Sequence, residues 1–166
     1  MSNLARKLLI AGNWKMNLNS AEASELAEAV VAQVGTQMEV AVCLCPTFTS
    51  LEAVSQKLVD SNIALGAQNM HHENSGAYTG EISAEMLRHL FVSFVIIGHS
   101  ERREYFGESD AIVNQKTLAA LNASMKPIVC IGETLEERES GQLEAVIGRQ
   151  LKGALASVSS GHADQL

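Results

Sequence analysis

Two polar side chains follow the first predicted strand at a spacing that suits a binding site. Asn13 and Lys15 lie in the run GNWKMN at 12–17, and alternate residues of an extended chain point the same way. Lysine supplies a positive charge for a phosphate or a developing oxyanion, and asparagine supplies an amide donor. A surface lysine after a strand is the alternative interpretation, which the spacing leaves open.

A histidine follows the fourth predicted strand, in a run that indicates the start of a helix. His99 stands between Gly98 and Ser100, and Glu101 comes next. The neutral form of an imidazole is favoured near the positive end of a helix dipole. A neutral imidazole that donates a hydrogen bond can polarise a carbonyl group. A structural histidine in a capping turn is the alternative interpretation.

Two other groups are weaker signals. Glu133 follows Gly132 after the fifth predicted strand, where it is either a helix-start acid or a site residue. His71, His72 and Glu73 are adjacent in a loop, and such side chains can bind a metal. Adjacent histidines in a loop are more often structural, so we expect no metal site.

The three cysteines predict reduced thiols in the core. Cys43, Cys45 and Cys130 are odd in number and lack the spacing of a metal site, which favours buried, unpaired thiols in a cytoplasmic protein. Because Cys43 and Cys45 lie in an alternating strand pattern, we expect their thiols to face opposite ways.

Short apolar runs alternate with longer helical patterns along the chain. The predicted strands are 7–11, 39–44, 63–67, 93–97 and 127–131. The predicted helices are 21–34 after an N-cap at Ser20, 50–59, 83–90, a segment capped by Ser109 and ending near 122, and 135–157. A polar loop over 68–80 is long enough to suggest a function.

This alternation predicts an α/β fold with a parallel sheet covered by helices, in one domain over 1–166. Both an open doubly wound sheet and a β/α barrel fit the pattern, and periodicity does not choose between them. Both architectures place functional residues after the carboxyl ends of the strands, which is where Asn13, Lys15 and His99 stand.

Composition excludes several function classes. The chain has 166 residues, 46% of them apolar, and a net charge of −7, which argues against nucleic acid and anionic membranes as partners. Lysine interrupts the short apolar run near the start, so residues 1–15 do not predict a signal peptide. No apolar run reaches the length of a membrane span, and we expect a cytoplasmic protein.

Taken in order, five motifs resemble the triosephosphate isomerase family. They are GNWKMN at 12–17, GAQNM at 66–70, SGAYTGEISAEML at 75–87, IIGHSERREYFGESD at 96–110 and PIVCIGETLEERESG at 127–141. The resemblance runs from residue 7 into the last predicted helix. It implies the TIM barrel, here an incomplete barrel of about five parallel βα units.

The resemblance also implies an activity and the residues that perform it. The family interconverts dihydroxyacetone phosphate and glyceraldehyde 3-phosphate, a step of glycolysis and gluconeogenesis, without a cofactor or a metal. Lys15 would attract the phosphate and stabilise the oxyanion, with Asn13 donating to the same oxygen. His99 would move protons between the two substrate oxygens, and Glu101 would orient Lys15.

Family members are usually dimers, which implies self-association. The loop over 75–81 would reach a pocket of a second copy, with Tyr78 and Thr79 at the contact. Thr79 would meet Asn13 and Glu101 of the partner subunit, and Met16 and Arg102 belong to the same expected interface.

The family pattern continues beyond the motifs present here. Its barrel needs eight βα units, and the segment after the fifth unit carries the glutamate base, the lid and the glycine-rich phosphate loops. We therefore expect this short chain to have little or no isomerase activity. The alternatives are a non-catalytic, self-assembling module that retains part of the fold, and a fragment of a longer enzyme.

Overall fold

Five strands form one sheet in sequential order, β1-β2-β3-β4-β5. The structure is a computed structural model that describes residues 7–166, apart from the side chains at 163 and 164. Residues 1–6, which begin the stretch considered as a signal peptide, lie outside the described residues. The strands are β1 Leu9–Asn13, β2 Ala41–Cys45, β3 Ile63–Ala67, β4 Val92–Ile97 and β5 Lys126–Val129.

The strands and helices alternate as the sequence predicts. The helices are α1 Ser20–Val34, α2 Leu51–Lys57, α3 Ala84–His89, α4 Ser100–Phe106, α5 Asp110–Asn122, α6 Leu135–Glu139 and α7 Leu143–Ala154, with 3-10 turns at Phe48–Ser50 and Ser160–Gln165. β2 pairs in parallel with both β1 and β3. β3 has the predicted bounds, and the other strands differ from prediction by one or two residues at one or both ends.

The described chain divides into two compact units, 7–68 with 87–94 and 69–86 with 95–166. The expectation of a single domain therefore stays a prediction.

In the first unit, α1 packs on α2. Ala23 and Ala27 are fully buried on one face of α1, and Lys57 of α2 donates to Glu28 of α1 at 2.9 Å. The N-cap of α1 is Asn19 rather than Ser20. The Asn19 side chain accepts hydrogen bonds from the backbone N–H groups of residues 21 and 22, and the Glu22 carboxylate accepts one from the backbone N–H of Asn19, which completes a capping box. Asparagine and serine are both good caps, so the sequence alone does not choose between them.

The prediction for the two thiols of β2 is wrong. The Sγ atoms of Cys43 and Cys45 lie 3.7 Å apart, because residues two apart in a strand share a face. Gly66 of β3 makes room for them: a Cβ there would lie 2.5 Å from the Cys45 sulfur and 2.7 Å from that of Cys43. The mutual hydrogen bond, with burial, raises the pKa of the Cys43 thiol.

All three cysteines are unpaired thiols, as predicted. Cys43 and Cys45 are fully buried, whereas Cys130 is only partly buried, so the expectation of a buried thiol is wrong there. Burial raises the pKa of the Cys130 thiol, and nearby Arg103 opposes that effect.

In the second unit, the predicted helix over 135–157 is two helices. α6 ends at Glu139, and Gly141 has φ +72° before α7 begins at Leu143. A glycine adopts this left-handed conformation without the steric cost that other residues bear. α7 packs on α5, where the Asn114 side chain donates to the carbonyl groups of Ala154 and Ala156 at 3.0 and 2.7 Å.

A buried ionic cluster in the second unit anchors the long loop to α5. Lys116 and Glu108 are 4% and 6% exposed, and the Lys116 ammonium donates to Glu108 and to Asn69 at the start of the loop. Arg102 donates to the same Glu108 oxygen at 2.6 Å. Burial would raise the pKa of Glu108, but the hydrogen bonds from Lys116 and Arg102 outweigh it and the pKa lies below its ordinary value.

Within the part of the chain that the structure describes, every helix is too short or too polar to cross a membrane.

Gly66→Ala tests the space beside the two thiols. We expect the free energy of unfolding to fall by about 2 kcal/mol, because the added methyl group overpacks the site; urea denaturation measures it. Gly148→Ala in α7 is the matched control, since nothing lies within 4 Å of its added Cβ. Adding Cys45→Ala should restore part of the loss, and equal effects of the two glycine substitutions would contradict the packing described.

Glu108→Gln tests the buried cluster and its pH dependence. We expect a loss of about 3 kcal/mol at pH 7, because the variant leaves buried cations unpaired. Since the pKa of Glu108 is lowered on folding, its contribution is present above about pH 4.3 and is lost as the pH falls through the folded-state pKa. The variant should therefore lose less stability than the parent on acidification, measured by urea denaturation from pH 7 to 3.

The exposed Glu104→Gln is the control for this series and should change the stability by less than about 0.5 kcal/mol. Parallel pH profiles for the parent and Glu108→Gln would be incompatible with a folded-state pKa below the ordinary value.

Candidate active site

The turn after β1 holds Asn13 and Lys15 together in the first unit. The backbone N–H of Lys15 donates to the Asn13 side-chain oxygen at 3.0 Å, and the N–H of Trp14 donates to the carbonyl of Cys45 at 3.1 Å. Asn13 and Cys45 are also register partners at the ends of β1 and β2. The end of one strand and the start of the turn are therefore fixed against the neighbouring strand.

Lys15 has a left-handed backbone, with φ +54°. A residue with a long side chain rarely adopts this conformation, which costs about 1–2 kcal/mol. Conformations of this kind persist where the surroundings enforce them and concentrate at functional sites. Lys15 therefore stands apart from an ordinary surface lysine by its backbone.

A glutamine that the sequence analysis quoted but did not assign enforces this turn. The amide nitrogen of Gln68, just after β3, donates to the carbonyl of Lys15 at 2.8 Å and to that of Cys45 at 2.9 Å. Its position directly after a strand, within the motif GAQNM, was the available signal. Met16, which follows Lys15, is 93% exposed.

His99 lies in the second unit as the N-cap of α4. Its Nδ1 atom accepts from the backbone N–H of Glu101 at 3.3 Å. An amide N–H can only donate, so in this geometry Nδ1 carries no proton and the neutral ring carries its proton on Nε2. The Glu101 carboxylate lies 3.4 Å from the same Nδ1. The expected helix start is confirmed, and the capping turn leaves Nε2–H as the donor.

The second arginine of the GHSERR run braces the turn that presents His99. Arg103 donates to the carbonyl of Gly98 at 2.8 Å, to Asp110 at 2.7 Å and to the carbonyl of Cys130 at 3.4 Å. Gly98 has φ +69°, and a Cβ there would lie 2.8 Å from a methyl group of Val113. Sequence analysis did not assign Arg103, because its partners lie on three different segments.

The neighbouring arginine has a different environment. Arg102 is 25% exposed at its side chain and pairs with Glu108, while its guanidinium lies 4.6 Å from the centre of the Phe106 ring. The expected interface residue is therefore already held by contacts within its own unit, which fixes its orientation.

The loop after β3 carries Tyr78 and Thr79 on a fixed base. Asn69 and Met70 are buried where the loop begins, and the N–H of His71 donates to the carbonyl of Ile82 at 2.8 Å, which closes it. Residues 73–81 are exposed. Exposed residues on an anchored base are well suited to contact another molecule.

Aromatic stacking accounts for the adjacent histidines of this loop. The rings of His71 and His72 stack at 4.4 Å, and the Tyr78 ring lies 4.3 Å from that of His71. Among the described residues, no group of three or more His, Cys, Asp or Glu side chains has an arrangement that could hold a metal ion.

The segment after β5 is tied by a side chain of α7. The Gln150 amide accepts from the N–H of Gly132 at 2.8 Å and donates to its carbonyl at 2.9 Å, as a strand neighbour would. Glu133 accepts from Arg138 at 2.7 Å. Hydrogen bonds to the Glu133 carboxylate from its own backbone N–H and from Arg138 lower the pKa of Glu133. Glu133 is thus part of the start of α6.

A cleft of about 780 Å³ opens beside these groups in the second unit. Two arginines and five acidic residues line it, so its charge does not favour a phosphate. The candidate residues themselves fall into two sets: Asn13, Lys15 and Met16 lie in the first unit, and His99, Glu101, Arg102, Tyr78 and Thr79 lie in the second.

Known proteins with the same pattern are enzymes of one family. The family model described as triosephosphate isomerase matches residues 8–166. Triosephosphate isomerase from Alkaliphilus oremlandii is 56% identical over 154 residues, which cover 92% of this chain and 61% of the relative. The enzyme from Herpetosiphon aurantiacus is 51% identical over 155 residues, covering 93% and 62%.

A solved structure agrees with these sequence matches. The crystal structure of triosephosphate isomerase from Bartonella henselae matches with a TM-score of 0.84 and 44% identity, over 92% of this chain and 63% of that one. This match confirms the incomplete TIM barrel and excludes the open doubly wound sheet, the other architecture that the sequence pattern allowed. The chain spans about three-fifths of the length of these relatives, and none of them supports a non-catalytic module. The chain belongs to the triosephosphate isomerase family.

Proposed function

We propose that this chain carries the cation, the amide donor and the imidazole of a triosephosphate isomerase site. The substrate is dihydroxyacetone phosphate or glyceraldehyde 3-phosphate. A base removes a carbon-bound proton and leaves an enediolate, whose negative oxygen Lys15 and Asn13 stabilise. His99 donates the Nε2 proton to one substrate oxygen and takes a proton from the other, and Glu101 orients Lys15.

The observation that carries this proposal is the enforced left-handed backbone of Lys15. The hydrogen bonds from Gln68 and to Asn13 fix the direction in which the lysine side chain leaves the turn. A charge fixed before the reaction stabilises a developing oxyanion without the cost of reorienting dipoles. A solvated surface lysine needs no such restraint.

The hydrogen bond at the Nδ1 atom of His99 supports the role proposed for this ring. Because Nδ1 accepts a backbone hydrogen bond, the proton of the neutral ring resides on Nε2. A positioned imidazole of this kind transfers protons and typically contributes about a hundred- to ten-thousand-fold in rate. The proposed step is proton transfer between oxygens, for which these side chains suffice.

The remaining parts of the site belong to the part of the family that this chain does not span. The resemblance assigns the glutamate base, the lid and the phosphate loops to the segment that follows the fifth βα unit. We propose that the chain acts in the cytoplasm, in glycolysis and gluconeogenesis, as part of such a site. Three unpaired thiols are in keeping with that compartment.

We also propose that copies of the chain associate through the loop over 75–81. Tyr78 is 45% exposed on an anchored base, and Met16 is 93% exposed. Pairing at a sheet edge is a second route, because Ile10 of β1 is 61% exposed and an edge strand offers unpaired backbone groups.

The activity is best tested on two polypeptides. The 166-residue chain alone should convert triose phosphates at least about a hundredfold more slowly than a full-length relative, since a positioned base is worth about 10²–10⁴, and a rate within about tenfold of the relative would contradict this. A chimera that joins it to the remaining two-fifths of the Alkaliphilus oremlandii enzyme, which this chain does not match, should be active. In the chimera, Lys15→Met and His99→Asn should each lower kcat/KM by about a hundredfold or more.

The variants have matched controls. His99→Asn keeps a side-chain acceptor at the N-cap, so thermal unfolding should change little while activity falls. Lys152→Met and His89→Asn remove the same groups from exposed helix positions and should leave kcat/KM unchanged. An active chimera that tolerates both Lys15→Met and His99→Asn would refute the proposed roles.

Association is tested by sedimentation velocity of the 166-residue chain from about 1 to 100 μM. Tyr78→Ala should weaken it about tenfold, as loss of an aromatic anchor does, and Tyr105→Ala, which alters another exposed tyrosine, should not. If pairing at the β1 edge dominates, Ile10→Lys will raise the dissociation constant more than Tyr78→Ala does. A parent chain that stays monomeric throughout this range would contradict both routes.

A further inference from the structure

Gly98, which directly precedes His99, has a backbone that needs an outside contact to hold it. Its φ is +69°, and a glycine reaches several backbone conformations at similar free energy. The direction of its carbonyl group, and with it the position of His99, is therefore not fixed by Gly98 itself. A larger residue would not fit, because a Cβ here would lie 2.8 Å from a methyl group of Val113 and 3.1 Å from the Arg103 guanidinium.

Arg103 binds the peptide groups on both sides of His99. Its side-chain Nε donates to the carbonyl of Gly98 at 2.8 Å, and its backbone N–H donates to the carbonyl of His99 at 3.1 Å. The imidazole leaves the chain between these two carbonyl groups. A movement of either peptide group would change the geometry of the hydrogen bond from the Glu101 N–H to the Nδ1 atom of His99.

The Arg103 guanidinium is itself held by α5 and by the segment after β5. Asp110, the first residue of α5, accepts from its Nη1 at 2.7 Å, and the carbonyl of Cys130 accepts from its Nη2 at 3.4 Å. The N–H of Cys130 donates to the carbonyl of Ile97 at 2.9 Å, so Arg103 extends a connection between two strand ends. A guanidinium presents its donors in a fixed plane and can serve three acceptors at once, which the ammonium of a lysine does not reproduce.

Asp110 is in turn held by α7. The Nε atom of Arg149 lies 3.4 Å from the second carboxylate oxygen of Asp110. A Cβ at Gly153 would lie 2.7 Å from the Cβ of Asp110, so α7 approaches α5 here as closely as a residue without a side chain allows. The series of contacts therefore runs from Gly153 through Asp110 and Arg103 to the peptide group before His99.

We infer that Arg103 is a positioning residue for His99, and that Asp110 and Gly153 determine where its guanidinium lies. Arg103 acts through the peptide groups on either side of His99 rather than on a substrate. The consequence for catalysis rests on the proposed isomerase site, whereas the effect on the ring does not. Altering these contacts should therefore change the tautomer of the His99 ring even in a chain without activity.

The test is ¹⁵N NMR of the His99 ring in the 166-residue chain, at about pH 8.5, where an ordinary imidazole is neutral. The signals are assigned by their loss in His99→Asn. In the parent, Nδ1 should be unprotonated and Nε2 protonated. Arg103→Lys keeps the charge but loses the planar donors, so the population of the other tautomer should rise about tenfold, as loss of about one hydrogen bond allows.

Arg138→Lys is the matched control for this substitution. Arg138 also pairs with a carboxylate, that of Glu133, but its side chain is 69% exposed. The same replacement there should leave the His99 signals unchanged.

Gly153→Ala tests the same contacts from their far end. Its methyl group must displace Asp110, so the His99 signals should move in the same direction as in Arg103→Lys. Gly148→Ala adds a methyl group to the same helix where nothing lies within 4 Å, and it should leave the signals unchanged. Because both variants exchange glycine for alanine inside α7, the change in helix propensity is matched.

Unchanged His99 signals in Arg103→Lys overturn the inference, and a lower thermal midpoint with unchanged signals assigns Arg103 to folding instead. A response to Arg103→Lys without one to Gly153→Ala overturns the part assigned to Gly153. If Arg103→Lys does not fold, Gly153→Ala decides, and unchanged His99 signals in that variant overturn the inference.

The consequence for catalysis is measured in the active chimera. Arg103→Lys should lower kcat about tenfold or more while KM changes less, because misplacing a catalytic group lowers the rate. An unchanged kcat, in a variant whose His99 signals have moved, overturns the catalytic part of the inference. Full activity of the His99→Asn chimera would refute the proposed function instead, and the NMR result would still decide whether Arg103 positions the ring.

Discussion

The left-handed turn at Lys15 is the constraint on which the candidate site depends. A lysine in solvent samples many directions, and its charge is then a poor partner for a single oxygen atom. Hydrogen bonds to Asn13 and from Gln68 hold the backbone in a conformation that it would otherwise leave. The unfavourable free energy of this backbone conformation is offset by hydrogen bonds to the neighbouring strand ends, so local strain and packing are linked at this position.

The same device recurs at other strand ends. Backbone groups beyond the last pair of a strand need partners, and here side chains from elsewhere in the same unit supply them. Gln68 donates to the carbonyl of Cys45, the last residue of β2, Arg103 donates to the carbonyl groups just after β4 and β5, and Gln150 binds both backbone groups of Gly132. Each brace fixes a turn that carries a candidate residue. Catalytic geometry in such a fold rests on these connections as much as on the sheet.

Local features were predictable from sequence because their causes are local. The strand at Ile63–Ala67 and the cap at Ser109 match prediction, since apolar runs and capping residues act within a few positions. The break at Gly141 was missed because the pattern of Glu and Arg on either side is helical throughout. The thiols of Cys43 and Cys45 were expected on opposite faces of the strand, but side chains two residues apart in a strand lie on the same face, as these two do.

Long-range features were not predictable in this way. Gln68, Arg103 and Glu108 act on partners that lie far away in sequence or on several segments, and no local pattern distinguishes them from ordinary polar residues. The resemblance to the isomerase family supplied roles for Lys15 and His99, but not the braces that hold them. A motif identifies the groups that act, and the three-dimensional contacts explain why they are held in place.

The proposal that Asn13, Lys15 and His99 serve one ligand can be measured directly in the 166-residue chain. Titration with 2-phosphoglycolate, a phosphate-bearing analogue of the enediolate, should be followed by the NMR signals of the Lys15 amide and the His99 ring. If the three side chains share a ligand, both signals will shift and saturate with a single dissociation constant. Signals that respond at different concentrations, or a response of only one of them, would contradict a shared site.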